Sequence, residues 1–170
     1  MLNTNVAQLL NTQINKEFYS AYLYLEFSNY YEEEGLKGFA NWYRVQAQEE
    51  RDHAMLMIQY LQNNDCRVVL DTIERPDAEL NDKMVALKQG YEHDQYVTGL
   101  IHNIYDAAYT VKDFRTMQFL DWFVKEQGEE ETKASDLIKK MELFGGDAKS
   151  LYMLDSELGA RVYVAPSLVL

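Results

Sequence analysis

Apolar side chains recur at spacings of three and four along four long stretches of this chain. Each row is broken near its middle by groups that ionise or hydrogen-bond. The first row reads Val6, Leu10, Ile14, Glu17, Ala21 and then Tyr24 or Leu25. The second reads Phe39, Tyr43, Gln46, Glu50, His53, Met57 and Tyr60. The third reads Leu80, Met84, Leu87, Tyr91, Asp94, Thr98, Ile101, Tyr105 and Ala108. The fourth reads Thr116, Leu120 (or Phe119), Phe123, Gln127, Glu130, Ala134, Leu137, Met141 and Phe144. Residues three and four apart share one helix face, so the pattern predicts four amphipathic helices.

Boundary residues place them. Asn3 or Thr4 caps the first helix, which runs to Glu33 or Glu34 and stops at Gly35. The second spans about Leu36 to Asn63, the third runs from near Asp77 or Asn81 to about Thr110, and the fourth from about Asp113 to Phe144. The connections at Gly35–Gly38 and Val111–Asp113 are short, which makes the helices they join antiparallel neighbours. The link from about Cys66 to Asp77 is long enough to run the length of a bundle, so the second and third helices can be parallel. Pro76 bars helix through Arg75, and the link reads as extended. A lone β-strand there would find no partner elsewhere in the chain. Asp147 or Ser150 caps a short fifth helix through Leu158, with Gly159 as its stop. The predicted architecture is all-α: a four-helix bundle with one long crossover connection and a short fifth helix. Residues 1–170 form one domain, with the bundle in 1–145 and the short helix and an apolar tail in 146–170. That tail is expected to be covered by the bundle or by another subunit.

Composition narrows the function. Hydrophobic residues make up 47% of the chain, as in a globular protein. A net charge of −12 argues against nucleic acid as a partner and suits the attraction of cations. The single cysteine, Cys66, permits no intrachain disulfide and fits a cytoplasmic location. No apolar run approaches the roughly 20 residues that span a bilayer, and the N-terminus turns polar too soon for a secretory signal, so no membrane association is expected.

The candidate chemistry lies in the interruptions. Glu50 and His53, three apart on an apolar face, are costly to bury unpaired. They form either a structural hydrogen bond or a pair of metal ligands. The wider set is Glu17, Glu50 with His53, Asp94, and Gln127 with Glu130, at similar depth in four helices. Carboxylates converging in a bundle core repel strongly at low dielectric, and one or two dications among them remove that cost. The pattern is close to the di-metal bundle rule, with Gln-x-x-Glu replacing the second Glu-x-x-His. Oxygen-rich ligation with a single histidine suits iron or manganese. Glu49, Glu126 and Glu129 sit beside these residues, turned by about 100°. They form either an outer metal site or a solvated acidic face. Gly128 inside the fourth helix costs about 1 kcal/mol relative to alanine, and a local kink beside Gln127 would account for it.

The chain resembles the bacterial non-haem ferritins along nearly its whole length. The matching stretches are Asn15-Lys16-Glu17-Phe18-Tyr19 through Tyr24, Ala47-Gln48-Glu49-Glu50 through His53, Tyr91-Glu92-His93-Asp94-Gln95, Phe119 through Gln127, Glu129-Glu130-Glu131, and Leu151-Tyr152 with Asp155. The resemblance implies a ferritin-like fold and a ferroxidase that oxidises Fe(II) with O₂ or H₂O₂ and stores ferric mineral. It also implies a homo-oligomeric cage of 24 subunits. Glu17, Glu50 and His53 correspond to the first iron site of a di-iron centre. Glu50 bridges to the second, completed by Asp94 and Glu130, with Gln127 nearby. Glu49, Glu126 and Glu129, with Glu130, correspond to a third iron site. Tyr24 and Trp122 correspond to aromatic residues beside the centre that donate electrons. Asp94 departs from the family glutamate and is one methylene shorter, which implies a weaker second site. Met117 and Leu120 stand near the channel acids of animal ferritins, with Asp113 and Asp121 as the nearest substitutes. A haem-binding relative would carry a second Glu-x-x-His and a haem-ligating methionine, so no haem is expected. One cysteine excludes a four-cysteine iron module.

Overall fold

A computed structural model describes residues 2–170. Its helices are α1 Thr4–Glu33, α2 Lys37–Asn63, α3 Lys83–Thr110, α4 Phe114–Phe144 and α5 Ala148–Gly159, with no strand among the described residues. Side-chain oxygens of Asn3, Asp82, Asp113 and Asp147 accept from first-turn amides of α1, α3, α4 and α5. The start of α2 is capped from elsewhere. Asp155 on α5 accepts from the amides of Gly38 (2.8 Å) and Phe39 (3.0 Å). A Cβ on residue 38 would lie 1.6 Å from the Asp155 carbonyl oxygen, so glycine alone permits this approach.

Three helices end alike. At α1 the Leu36 amide bonds back to Tyr31 and the Gly35 amide to Glu32, and the same pair of bonds closes α2 at Asp65–Cys66 and α3 at Lys112–Asp113. Each reversal needs a left-handed residue: Gly35 (φ 76°), Asp65 (φ 55°) and Lys112 (φ 56°).

Contacts fix the topology. Tyr24 reaches Asp94 and Tyr31 reaches Lys83, so α1 and α3 are antiparallel. Ser28 donates to the Ala40 carbonyl across the tight turn, so α1 and α2 are antiparallel and α2 and α3 parallel. The crossover that makes this possible begins after Asn63 and ends at Asp82, because α3 starts at Lys83. It follows α1, held by Asn11 to Arg67 and Val69 and by Asn15 to Thr72.

The apolar interior is divided. One cluster gathers Phe27, Tyr31, Phe39, Tyr43, Leu137 and the α5 residues Leu154 and Leu158. The other gathers Leu10, Ile14, Met57, Ile101, Leu120 and Phe123. The polar interruptions form the layer between them. The rows rotate slightly from the sequence expectation. Tyr24 is buried while Leu25 is exposed, and on α3 Gly90, Val97 and Ile104 lie deeper than Tyr91, Thr98 and Tyr105. Leu120 belongs to the core, Asp113 is a helix cap, and Asp121 accepts from Tyr105. In the single subunit Val162, Val164 and Val169 of the tail are exposed, while Tyr163, Pro166 and Leu168 are half-buried. No helix is long and apolar enough to cross a membrane among the described residues.

Candidate metal centre

The second row supplies the middle of the site. Glu50 and His53 occupy one face of α2, and each is 2% exposed. Glu17 enters from α1, Asp94 from α3, and Gln127 and Glu130 from α4, none more than 5% exposed. Ligand atoms of Glu17, Glu50 and His53 lie within 4.8 Å of one another. The same holds for Glu50, Asp94 and Glu130, so Glu50 is common to two groups. A third group joins His53, Glu126 and Glu130.

Buried glutamines orient the carboxylates. Gln13 donates to Glu17 Oε1 (2.8 Å). Gln46 donates to Glu50 Oε1 (3.3 Å) and Glu130 Oε1 (3.1 Å). Gln127 donates to the Asp94 carbonyl (3.2 Å), so its amide nitrogen faces α3. Thr98 donates to Glu131 Oε1 (2.5 Å) beside it. Tyr24 donates to Asp94 Oδ1. The Trp122 ring stands 5.4 Å from that of His53, and its indole N–H donates to Ser167.

Among the described residues, two buried side-chain atoms have no hydrogen-bond partner: Glu17 Oε2 and His53 Nδ1. They are 4.0 Å apart, and Glu50 Oε2 is 3.4 Å from the same nitrogen. An unpartnered carboxylate oxygen beside an unpartnered imidazole nitrogen is a donor set for a cation. Without one, protons balance the charge. Burial pushes the Glu17 carboxyl up to about 8, with repulsion from Glu50 adding to it. Burial likewise raises Asp94 to about 8 and Glu130 well above its usual range. Burial opposes ionisation of Glu50, but the adjoining His53 outweighs it and holds that carboxyl low. His53 is pulled down by burial and up more strongly by Glu50, to about 9.

The outer acids differ in their surroundings. Glu126 turns toward His53 and Glu130. Glu49 is bound by Arg161 at 2.6 Å, and Glu129 lies 3.4 Å from Lys125 on the surface. Gln13, Thr98, Glu131 and Arg161 were not legible as part of this site. Gln13 carries a usable signal, standing one helical turn before a buried carboxylate. Arg161 carries none.

The family model of the ferritin-like domain matches residues 7–144. The chain belongs to the ferritin family. Iron storage is the function that comes with it, and the carboxylate–histidine cluster is compatible with a di-iron site. The bacterial non-heme ferritin of Campylobacter jejuni is 37% identical over 155 residues, 91% of this chain and 93% of that protein. A probable bacterial non-heme ferritin-like protein of Haemophilus influenzae is 36% identical over 94% of this chain and 96% of its own. Among solved structures, an engineered closed form of the Archaeoglobus fulgidus ferritin superposes with a TM-score of 0.94 at 44% identity, covering 96% of this chain and 100% of that one. The open-pore ferritin of the same archaeon gives 0.93 at 44% identity, over 95% and 100%.

Proposed function

We propose that the buried polar layer is a ferroxidase centre taking two ferrous ions as substrate. Glu17 and His53 hold one position, Asp94 and Glu130 the other, and Glu50 faces both. The observation that carries this reading is the pair of buried, unpartnered atoms, Glu17 Oε2 and His53 Nδ1, 4.0 Å apart in the core. Protons on Glu17, Asp94 and Glu130 make the empty cluster nearly neutral, so entering ferrous ions displace them. A pair of ferrous ions supplies the electron pair that reduces dioxygen to peroxide, or peroxide to water. The chain's own contribution is to present oxygen ligands, which favour the ferric product. Tyr24, bonded to Asp94, and Trp122, packed on His53, border the centre as candidate electron donors. No haem takes part in this reading. A homo-oligomeric cage, of 24 subunits by family resemblance, would hold the ferric product.

The test is Fe(II) oxidation by dissolved O₂, wild type against Glu50→Ala. Fast oxidation that is largely lost in the variant supports the reading. Equal rates would mean that oxidation takes place on mineral or in solution, and the polar layer would need a structural explanation.

A further inference from the structure

Arg161 follows α5 directly and returns to α2. Its Nη1 donates to the Trp42 carbonyl (3.1 Å), and its Nη2 to Gln46 Oε1 (3.0 Å) and Glu49 Oε2 (2.6 Å). The guanidinium carbon lies 4.6 Å from the centre of the Trp42 ring, a cation–π contact. Asn41 donates to the Arg161 carbonyl at 2.9 Å, which fixes the backbone there. Beyond it the chain runs extended along α2. Tyr163 donates to Asp52, Ser167 accepts from Trp122, and Leu168 packs on the second core cluster.

Glu49 is the acid that an outer metal ion would need beside Glu126. Its side chain is only 18% exposed, and a fixed guanidinium already supplies its counter-charge. A planar guanidinium held by several acceptors is also poorly displaced by a hydrated dication. We propose that Arg161 is a built-in counter-ion standing where a third metal ion would bind Glu49, and that the tail is the strap holding it there. The resting subunit then offers two metal positions, not three. This rests on the two-position reading above. The same contact pins the Gln46 amide so that its nitrogen faces Glu50 and Glu130.

The experiment is anomalous diffraction from crystals of the whole protein soaked in Zn(II). Wild type is expected to show zinc in the Glu17–Glu50–His53 and Glu50–Asp94–Glu130 groups and none at Glu49. Arg161→Met is expected to gain zinc at Glu49 with Glu126, and Arg161→Met/Glu49→Gln to lose it again. Zinc on Glu49 in wild type, or none there in Arg161→Met, overturns the proposal. A titration of wild type against Glu49→Gln decides the matter even if Arg161→Met does not fold. An unchanged zinc stoichiometry supports the counter-ion, and a loss of one ion per subunit overturns it. Zinc missing from the central groups in every variant would instead overturn the two-position reading.

Discussion

Tyr24 on α1 donates its hydroxyl hydrogen to Oδ1 of Asp94 on α3, so one oxygen of the shortest carboxylate in the cluster is already engaged. Asp94 nevertheless comes within 4.8 Å of ligand atoms of Glu50 and Glu130. A glutamate there reaches one methylene further and can keep the tyrosine contact while meeting a metal ion. Asp94→Glu is expected to raise iron occupancy on the α3 side and to speed oxidation severalfold. Unchanged occupancy and rate, by crystallography and stopped-flow absorbance, would count against this.

The buried acids tie stability to pH. Burial raises Glu17 and Asp94 to about 8, far above the ordinary carboxylate range, and the Glu50 carboxylate raises His53 to about 9. Each therefore holds protons in the folded state that the unfolded chain releases. The stability they contribute is fully present below the unfolded values and is lost as pH rises through the folded ones. Glu50 is lowered and acts in the opposite sense, at acid pH. The metal-free protein is expected to melt at a lower temperature near about pH 9 than near about pH 6, with Zn(II) closing the gap by replacing the lost protons. Calorimetry at both values checks this, and Glu17→Gln should flatten the slope. A flat melting profile without metal would contradict it.

Asp155 and Gly38 join α5 to the start of α2. Asp155→Ala removes an acceptor shared by two amides and should cost about 1 kcal/mol, as for a lost N-cap. Gly38→Ala drives a methyl group into the Asp155 carbonyl and should cost more, about 1–3 kcal/mol, by displacing α5. Urea midpoints rank the two variants, and the reverse order would show that the close approach is easily relaxed.

Two substitutions should stabilise. Lys112 is a non-glycine residue at φ 56°, and Lys112→Gly should relieve about 1 kcal/mol. Gly128 lies inside an unbroken α4, and a Cβ there meets nothing within 4 Å. Gly128→Ala should add about 1 kcal/mol without altering metal binding. A loss of zinc or iron occupancy in Gly128→Ala would restore the kink explanation.

The sequence by itself determined the helices and the identity of the buried layer. Apolar spacing of three and four requires that Glu50 and His53 share the face of Phe39 and Met57, whatever that face packs against. Each of the other three rows carries its interruption near its middle, so a bundle of that topology brings Glu17, Asp94, Gln127 and Glu130 to one level. The caps at Asn3 and Asp147 are local, and each is one of two candidates the sequence offers.

What lay beyond reach depends on which way a side chain turns once a neighbour arrives. Leu25 and Tyr24 are adjacent in sequence, and only packing against α2 and α3 buried the second. Glu49, Glu126 and Glu129 are three acids at suggestive spacing, yet Arg161 claims one, Lys125 stands beside another, and Glu126 joins a group with His53 and Glu130. Asp155 caps a helix more than a hundred residues away. Periodicity reports which face a residue occupies, because that is a property of one helix. Pairing of charges across elements is a property of the assembled bundle, and only the tertiary structure decides it.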